Sequence, residues 1–229
     1  MSITESIAKV LQEALHNAIL EGDREEGVHL TEKALQDGIT PIEFFQQVVS
    51  PVVEVMGDQF AKLEIFLPEL MRAGMVVKAL QERVLEPAIL KMGGGQAENA
   101  GKVVIGTCQG DIHDIGKNMV ALMLQVNGFK VTDLGTNVTA RAFIDAAKRE
   151  DADIIAMSTL LTTSMPFIKD MVELLKGFGL RDRFAVVVGG APITQQWVEN
   201  AGVDGFGEDA VEAVETCRKI IKARREQVK

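Results

Sequence analysis

One short segment contains residues of the types that ligate a metal ion and orient its ligand. Asp111, His113 and Gly116 lie in the run GDIHDIGK at positions 110–117. Neutral imidazole is a common ligand of first-row transition metals, and a nearby carboxylate can accept a hydrogen bond from its other ring nitrogen. That hydrogen bond would fix the tautomer and strengthen the donor, so the segment predicts a metal ligand, His113, oriented by Asp111.

The surrounding pattern predicts where this segment lies. Residues 102–107 are mostly apolar and read as a strand, and an amphipathic helix follows from residue 115. Loops at the carboxyl ends of strands are where open α/β sheets bind ligands. Each residue also has a simpler interpretation, because a lone histidine in a loop is often a surface residue and Asp111 could cap the helix.

Two further elements decide between these interpretations. Forty-one residues separate Gly116 from the motif Ser158-Thr159-Leu160, and 28 residues separate this motif from Gly189-Gly190. With the first segment, this spacing resembles the vitamin B12-binding domain in which a protein histidine lies under the cobalt. The similarity runs from about Ile3 to Ala223 and is sharpest at 110–117, 158–164 and 189–190.

The resemblance implies a cobalamin bound base-off, with His113 in place of the cofactor's own benzimidazole. The nucleotide tail would lie in a slot beside the sheet, where small residues allow close approach. Ser158 and Leu160 match positions that contact the benzimidazole, and the glycines match positions along the tail: Gly116, Gly189 and Gly190.

A hydrogen-bonded relay is also implied by the resemblance. Ser164, six residues after Ser158, matches a hydroxyl that hydrogen-bonds the aspartate. His113, Asp111 and Ser164 would then form a relay that tunes how firmly the imidazole binds cobalt. Thr162 and Thr163 are adjacent hydroxyls and stay open as alternatives to Ser164.

The first 92 residues predict a bundle of four amphipathic helices, because apolar residues recur at helical spacing. Breaks fall at Gly22-Asp23 and Asp37-Gly38, while Thr40-Pro41 starts a third helix and Leu67-Pro68 a fourth. Pro51 should kink or divide the third helix. A glycine-rich stretch at 93–100 reads as a linker.

Residues 101–229 alternate short, continuously apolar strands with helices. This pattern predicts a flavodoxin-like or Rossmann-like, doubly wound sheet of five parallel strands in the order 2-1-3-4-5. The expected strands are 102–107, 130–134, 153–158, 184–188 and 203–206. The expected helices are 115–127, 139–149, 164–177, 192–200 and 208–225.

Composition narrows the class of protein. The formal net charge is −9, which argues against nucleic acid as a partner, and no apolar run is long enough to span a membrane. The acidity is concentrated in residues 1–100, with 16 acidic and 8 basic side chains. Two distant cysteines and the lack of a signal-like N-terminus favour a cytoplasmic protein.

The resemblance implies a methyl carrier. A substrate-specific methyltransferase would load the cobalt from methanol, a methylamine, a betaine or a methoxylated aromatic. A second methyltransferase would pass the methyl group to tetrahydrofolate or a thiol, and a reductive activation protein would maintain the cobalt. The chain would be a subunit of such a system and not a complete enzyme alone.

Residues 58–92 are similar to the cap segment of the methyl-carrier branch, where FLPEL occupies 66–70. Phe66 has two interpretations, as a residue of the helical core or as the aromatic side chain that would cap the methyl group. Other classes stay open. A B12-dependent sensor would carry a DNA-binding segment, a mutase subunit would lack the helical domain, and a cofactor-free flavodoxin-like domain would leave the three spaced elements unexplained.

Overall fold

The chain forms two compact units, Met1–Met92 and Gly93–Lys229. The computed structural model describes residues 3–92 and 100–227. The stretch expected to be a linker, 93–100, lies outside the described residues except for Ala100. No helix in the described ranges has the length and apolar character needed to cross a bilayer.

The first unit is helical throughout, as expected. Its α-helices are α1 (Glu5–Glu21), α2 (Arg24–Gln36), α3 (Pro41–Phe44), α4 (Ser50–Ala61), α5 (Leu67–Leu80) and α6 (Glu86–Met92). A π-helical turn, Phe45–Val49, joins α3 to α4, and another, Gln81–Leu85, joins α5 to α6. The described part of this unit therefore contains four continuous helical segments, which confirms the four-helix expectation.

The start of α3 shows how the local sequence sets the helix ends. The hydroxyl of Thr40 accepts a hydrogen bond from the Glu43 backbone N–H at 3.2 Å, and the Glu43 carboxylate accepts one from the Thr40 N–H at 3.2 Å. Pro41 occupies the first turn, where its missing N–H costs nothing. This reciprocal capping box is the one expected from the sequence.

Pro51 does not divide the third helical segment. Proline lacks the N–H that would bond the carbonyl four residues earlier, that of Gln47. Gln12 of α1 donates its side-chain amide to this carbonyl at 2.6 Å. Both π-helical turns end two residues before a proline, Pro51 in one case and Pro87 in the other. The helix thus widens by one turn and continues across each proline.

The second unit contains a five-stranded parallel sheet in the order β2-β1-β3-β4-β5, which confirms the expected topology. The order reverses between β1 and β3, so connections leave this point toward opposite faces of the sheet. The strands are β1 (Gly101–Thr107), β2 (Phe129–Asp133), β3 (Ile154–Ser158), β4 (Ala185–Gly189) and β5 (Gly205–Gly207).

Helices cover the sheet because its strands are apolar on both faces. They are α7 (Ile115–Val126), α8 (Ala140–Glu150), α9 (Pro166–Gly177), α10 (Gln195–Ala201) and α11 (Ala210–Gln227). On one side, Phe143 and Ile144 of α8 join Val104 and Ile155 of the central strands in a fully buried cluster. This core fixes the carboxyl ends of β1 and β3 relative to each other.

The strand register aligns the ends of four strands. Thr107 of β1 pairs with Ser158 of β3, Ser158 pairs with Gly189 of β4, and Gly189 pairs with Gly207 of β5. Residues expected to bind a cofactor from three distant parts of the sequence therefore lie along one edge of the sheet.

Candidate cofactor-binding site

The loop from Cys108 to Asp114 carries the predicted ligand at the point where the strand order reverses. Thr107, the last residue of β1, donates its hydroxyl to the carbonyl of His113 at 2.9 Å. The backbone N–H of Asp111 bonds back to the carbonyl of Cys108 at 3.1 Å. The loop is thus folded onto the end of its own strand before α7 begins.

Asp111 is completely buried and joins the loops that follow β1 and β3. Its Oδ1 accepts hydrogen bonds from the backbone N–H of His113 at 3.0 Å and contacts His113 Nδ1 at 2.6 Å. Its Oδ2 accepts three more, from the Thr159 hydroxyl at 3.0 Å and from the backbone N–H groups of Leu160 at 2.6 Å and Leu161 at 3.2 Å.

These donors keep the aspartate ionised despite its burial. Burial alone would raise the pKa of Asp111, but the hydrogen bonds from His113, Leu160 and Thr159 lower it from 3.8 to about 2. An ionised carboxylate only accepts hydrogen bonds, so His113 Nδ1 must carry the proton that lies between them. In the neutral ring, Nε2 then has a free lone pair.

The exposed side of His113 suits a ligand to a bound cofactor. Its side chain is 50% exposed, and its Nε2 has no hydrogen-bond partner within residues 3–92 and 100–227. A neutral imidazole held in one orientation would suit the cobalt of a corrinoid as a ligand. The residues present therefore fit the group that the sequence resemblance implies.

The hydroxyl that donates to Asp111 belongs to Thr159, which corrects the expectation for Ser164. Within the described chain, no hydrogen bond joins Ser164 to Asp111; Ser164 is buried in a 3-10 turn, Thr162–Ser164. Thr159 is directed inward because it follows the last residue of β3, where the loop turns over the aspartate. The Ser-Thr-Leu motif contained this signal, because its central residue also carries a hydroxyl.

The packing of the cofactor-free protein already requires a glycine at position 190. Its φ is +120°, and a β-carbon at this position would lie 1.8 Å from the carbonyl oxygen of Thr159. A β-carbon on Gly189 would lie 3.1 Å from the carbonyl oxygen of Gly207. The Gly-Gly pair thus lets the loop that carries Thr159 pack directly against the end of β4.

The other predicted contact residues lie at or near this edge. Gly116, in the first turn of α7, is exposed, and nothing lies within 4 Å of a β-carbon built on it. Ser158 is partly buried at the end of β3, while Leu160 is 46% exposed beside the His113 loop. Open space at Gly116 is available to a ligand.

Phe66 is exposed on the helical unit, so its alternative assignment to the core is wrong. It immediately precedes α5, and its side chain is 62% exposed. Its backbone N–H is satisfied by the Glu69 carboxylate at 3.0 Å. Leu67, Met71 and Met75 on the same helix are also exposed, so an apolar stripe runs along α5.

Comparison with known proteins identifies the family of this chain. A model of the B12 binding domain matches residues 101–215, and a second B12 binding domain model matches residues 11–84. A corrinoid protein of Desulfitobacterium hafniense is 40% identical over 211 residues, which cover 92% of this chain and 97% of that protein. This chain belongs to the B12-binding corrinoid proteins.

Other members of the family have more specific names. The trimethylamine corrinoid protein 2 of Methanosarcina mazei is 39% identical over 90% of this chain and 94% of its own length. The solved monomethylamine corrinoid protein of Methanosarcina barkeri superposes with a TM-score of 0.84 at 32% identity, covering 93% of this chain and 99% of that one. The expected resemblance and fold are confirmed over nearly the whole length of this corrinoid protein.

Proposed function

We propose that this corrinoid protein carries a methyl group between two methyltransferases, and that His113 would ligate the cobalt of a cobalamin bound base-off. The bound corrinoid would supply the cobalt that accepts and releases the methyl group. The observation that carries the proposal is the half-exposed His113 imidazole, whose Nδ1 lies 2.6 Å from the buried Asp111 carboxylate while Nε2 has no hydrogen-bond partner among the described residues.

The chain's own residues would bind and orient the cofactor. Asp111 fixes the tautomer of His113, and the donors from Thr159 and Leu160 fix Asp111. Gly116 would leave room for the cofactor, and Ser158 and Leu160 would contact the displaced base. This arrangement holds the imidazole in place before cofactor binds, which reduces the entropy lost on ligation.

The apolar stripe on α5 is the proposed cap. Four large apolar side chains here are between 45% and 62% exposed: Phe66, Leu67, Met71 and Met75. Grouped apolar exposure of this kind often marks a binding surface. Phe66 would shield the transferred group from water, and the cap would have to withdraw when a partner enzyme binds.

The partners would be a substrate-specific methyltransferase, a second methyltransferase acting toward tetrahydrofolate or a thiol, and a reductive activation protein. We propose a methylated amine as the donor, since the relatives' names specify trimethylamine, dimethylamine and monomethylamine. The identities to these relatives are 37–39%, so they favour no single degree of methylation.

Reconstitution with cobalamin tests the proposal most simply. We expect wild type to bind cobalamin base-off with an imidazole-ligated absorption spectrum. His113→Ala should still bind the corrin but lose the spectral signature of the imidazole. His29→Ala is the matched control, because His29 is an exposed histidine on α2. A wild-type protein that binds no cobalamin would overturn the proposal, as would an unchanged spectrum in His113→Ala.

A further inference from the structure

The His113 loop is held by a second chain segment that lies outside the three sequence elements. The connection after β2 runs beside the end of β1 and continues its pairing. The backbone N–H of Leu134 bonds to the Ile105 carbonyl at 2.8 Å, and that of Val138 to the Thr107 carbonyl at 2.9 Å. Residues 134–138 are thereby fixed to the strand from which the His113 loop begins.

Asn137 contacts the loop with both its backbone and its side chain. Its side-chain Oδ1 accepts a hydrogen bond from the Gly110 N–H at 2.8 Å, and its own N–H donates to the Asp111 carbonyl at 2.9 Å. Two consecutive residues of the loop, Gly110 and Asp111, are therefore hydrogen-bonded to one residue of another connection, and His113 follows two residues later.

The backbone of Asn137 explains why asparagine suits this position. Its φ is +54°, in the left-handed region that asparagine and glycine adopt more readily than other residues. This conformation directs its N–H toward Asp111 while its side chain reaches Gly110. Glycine would tolerate the backbone but could not accept the hydrogen bond, and alanine would do neither well.

The same connection holds the far end of the loop. Lys117, in the first turn of α7, has a side chain that is only 1% exposed and forms an ion pair with Asp133 at the end of β2. Its ammonium group also donates to Asn118 Oδ1 at 2.6 Å. Contacts to the connection thus flank His113 on both sides in sequence.

We propose that the connection Asp133–Val138 positions the imidazole of His113, with Asn137 as its principal positioning residue. This inference rests on the proposed function, because the role of the position is to hold a cobalt ligand. Asn137 itself does not ligate the metal. It fixes the backbone of Gly110 and Asp111, and Asp111 in turn fixes the ring.

Three substitutions at this position separate the contributions of backbone and side chain. Asn137→Gly keeps the backbone conformation and removes the acceptor, and Asn137→Ala removes both. Asn137→Asp retains an acceptor oxygen and tolerates the left-handed backbone. Asp151→Ala is the matched control for backbone strain, because Asp151 has a φ of +51° at the C-terminus of α8.

Amide hydrogen exchange of the cofactor-free protein gives the first readout. We expect Gly110 N–H protection to fall by about fivefold in Asn137→Gly and Asn137→Ala, the change that corresponds to one lost hydrogen bond. Asn137→Asp and Asp151→Ala should leave it near the wild-type value. This readout does not depend on cobalamin, so it tests the inference even if the proposed function fails.

The second readout is the fraction of imidazole-ligated cobalt(II) in the cobalamin-loaded protein, measured by electron paramagnetic resonance. We expect it to fall in Asn137→Gly and Asn137→Ala and to be restored in Asn137→Asp. Wild-type protection and ligation in Asn137→Gly would overturn the inference, as would a failure of Asn137→Asp to restore them. A wild-type protein that binds no cobalamin would instead overturn the proposed function.

Discussion

At the scale of single residues, the site depends on Asp111. Two donors reach its Oδ1 and three reach its Oδ2, and they come from both loops at the point where the strand order reverses. A buried carboxylate is stable only when its charge is compensated in this way. The same contacts that stabilise Asp111 determine which nitrogen of His113 is free.

Asp111→Asn should destabilise the cofactor-free protein, because an amide places an NH2 group against N–H donors. The pKa shift from 3.8 to about 2 corresponds to about 2 kcal/mol. Because the folded-state pKa is lowered, wild type has this contribution above about pH 4 and loses it as pH falls toward 2. Urea unfolding across this range should show the difference between wild type and Asp111→Asn shrinking with acidification.

Asp170→Asn is the control for that measurement, because Asp170 is exposed on α9. It should leave the free energy of unfolding nearly unchanged at every pH. A constant difference between wild type and Asp111→Asn down to pH 2 would contradict the assigned ionisation of Asp111.

Substitutions at Thr159 and Ser164 test which hydroxyl supports Asp111, because the structure indicates Thr159 and the family resemblance implies Ser164. Thr159→Val keeps the shape but removes the donor to the Asp111 carboxylate, so we expect a loss of about 1.5–3 kcal/mol in stability. It should also lower the fraction of imidazole-ligated cobalt. Ser164→Ala should change that fraction little. A larger effect on ligation from Ser164→Ala would restore the relay expected from the sequence.

At the scale of elements, the sequence predicted the sheet because short apolar runs separated by helices admit few arrangements. It also placed Ser158 and Gly189 near one edge, since parallel strands end together. It did not reveal which hydroxyl meets Asp111, because Thr159, Thr162, Thr163 and Ser164 are close in sequence and only the path of the loop distinguishes them.

Other features required three-dimensional information. Helical periodicity does not show whether a proline interrupts a helix, because the π-helical turn before Pro51 depends on a contact from α1. The sequence around Phe66 fitted a buried position in the helical core as well as an exposed position in a cap. Asn137 could have been suspected from the turn-forming run Gly135-Thr136-Asn137, but its two partners belong to a distant segment.

Two glycines of the site should respond oppositely to alanine. Gly190→Ala would force a β-carbon into the Thr159 carbonyl and should destabilise the cofactor-free protein.

Gly116→Ala meets no atom within 4 Å and replaces a helical glycine, so it should raise stability by up to about 1 kcal/mol. If the cofactor uses the open space, Gly116→Ala should nevertheless weaken cobalamin binding.

Thermal unfolding of the cofactor-free variants and cobalamin titration separate these effects. An unchanged cobalamin affinity in Gly116→Ala would show that the space beside Gly116 is not occupied by the cofactor. A stable Gly190→Ala would show that the loop after β3 adjusts more freely than its packing indicates.

At the scale of the whole molecule, the negative charge is uneven: residues 1–100, which include the helical unit, have a net charge of −8, whereas residues 101–229 are nearly neutral. We propose that the α/β unit binds the cofactor and that the apolar stripe of α5 shields the transferred methyl group. An acidic surface also favours encounter with a basic partner surface, in a manner that salt would weaken.

Phe66→Ala should affect the shielding of bound methylcobalamin without affecting the stability of the fold. Phe66 is largely exposed, so its removal should change the free energy of unfolding by less than about 0.5 kcal/mol. It should increase the rate at which bound methylcobalamin is lost under light. Lys78→Ala, an exposed change on the same helix, is the control. A large loss of stability without faster photolysis would contradict the cap assignment.

The central claim is that a nitrogen of His113 binds the cobalt. The most direct test is the electron paramagnetic resonance spectrum of cobalt(II) cobalamin bound to protein labelled with nitrogen-15 at histidine only. We expect histidine labelling to change the nitrogen splitting, and we expect His113→Ala to abolish this dependence while His29→Ala retains it. A splitting that is unaffected by histidine labelling would place the cofactor's own base on the metal and exclude His113 as the ligand.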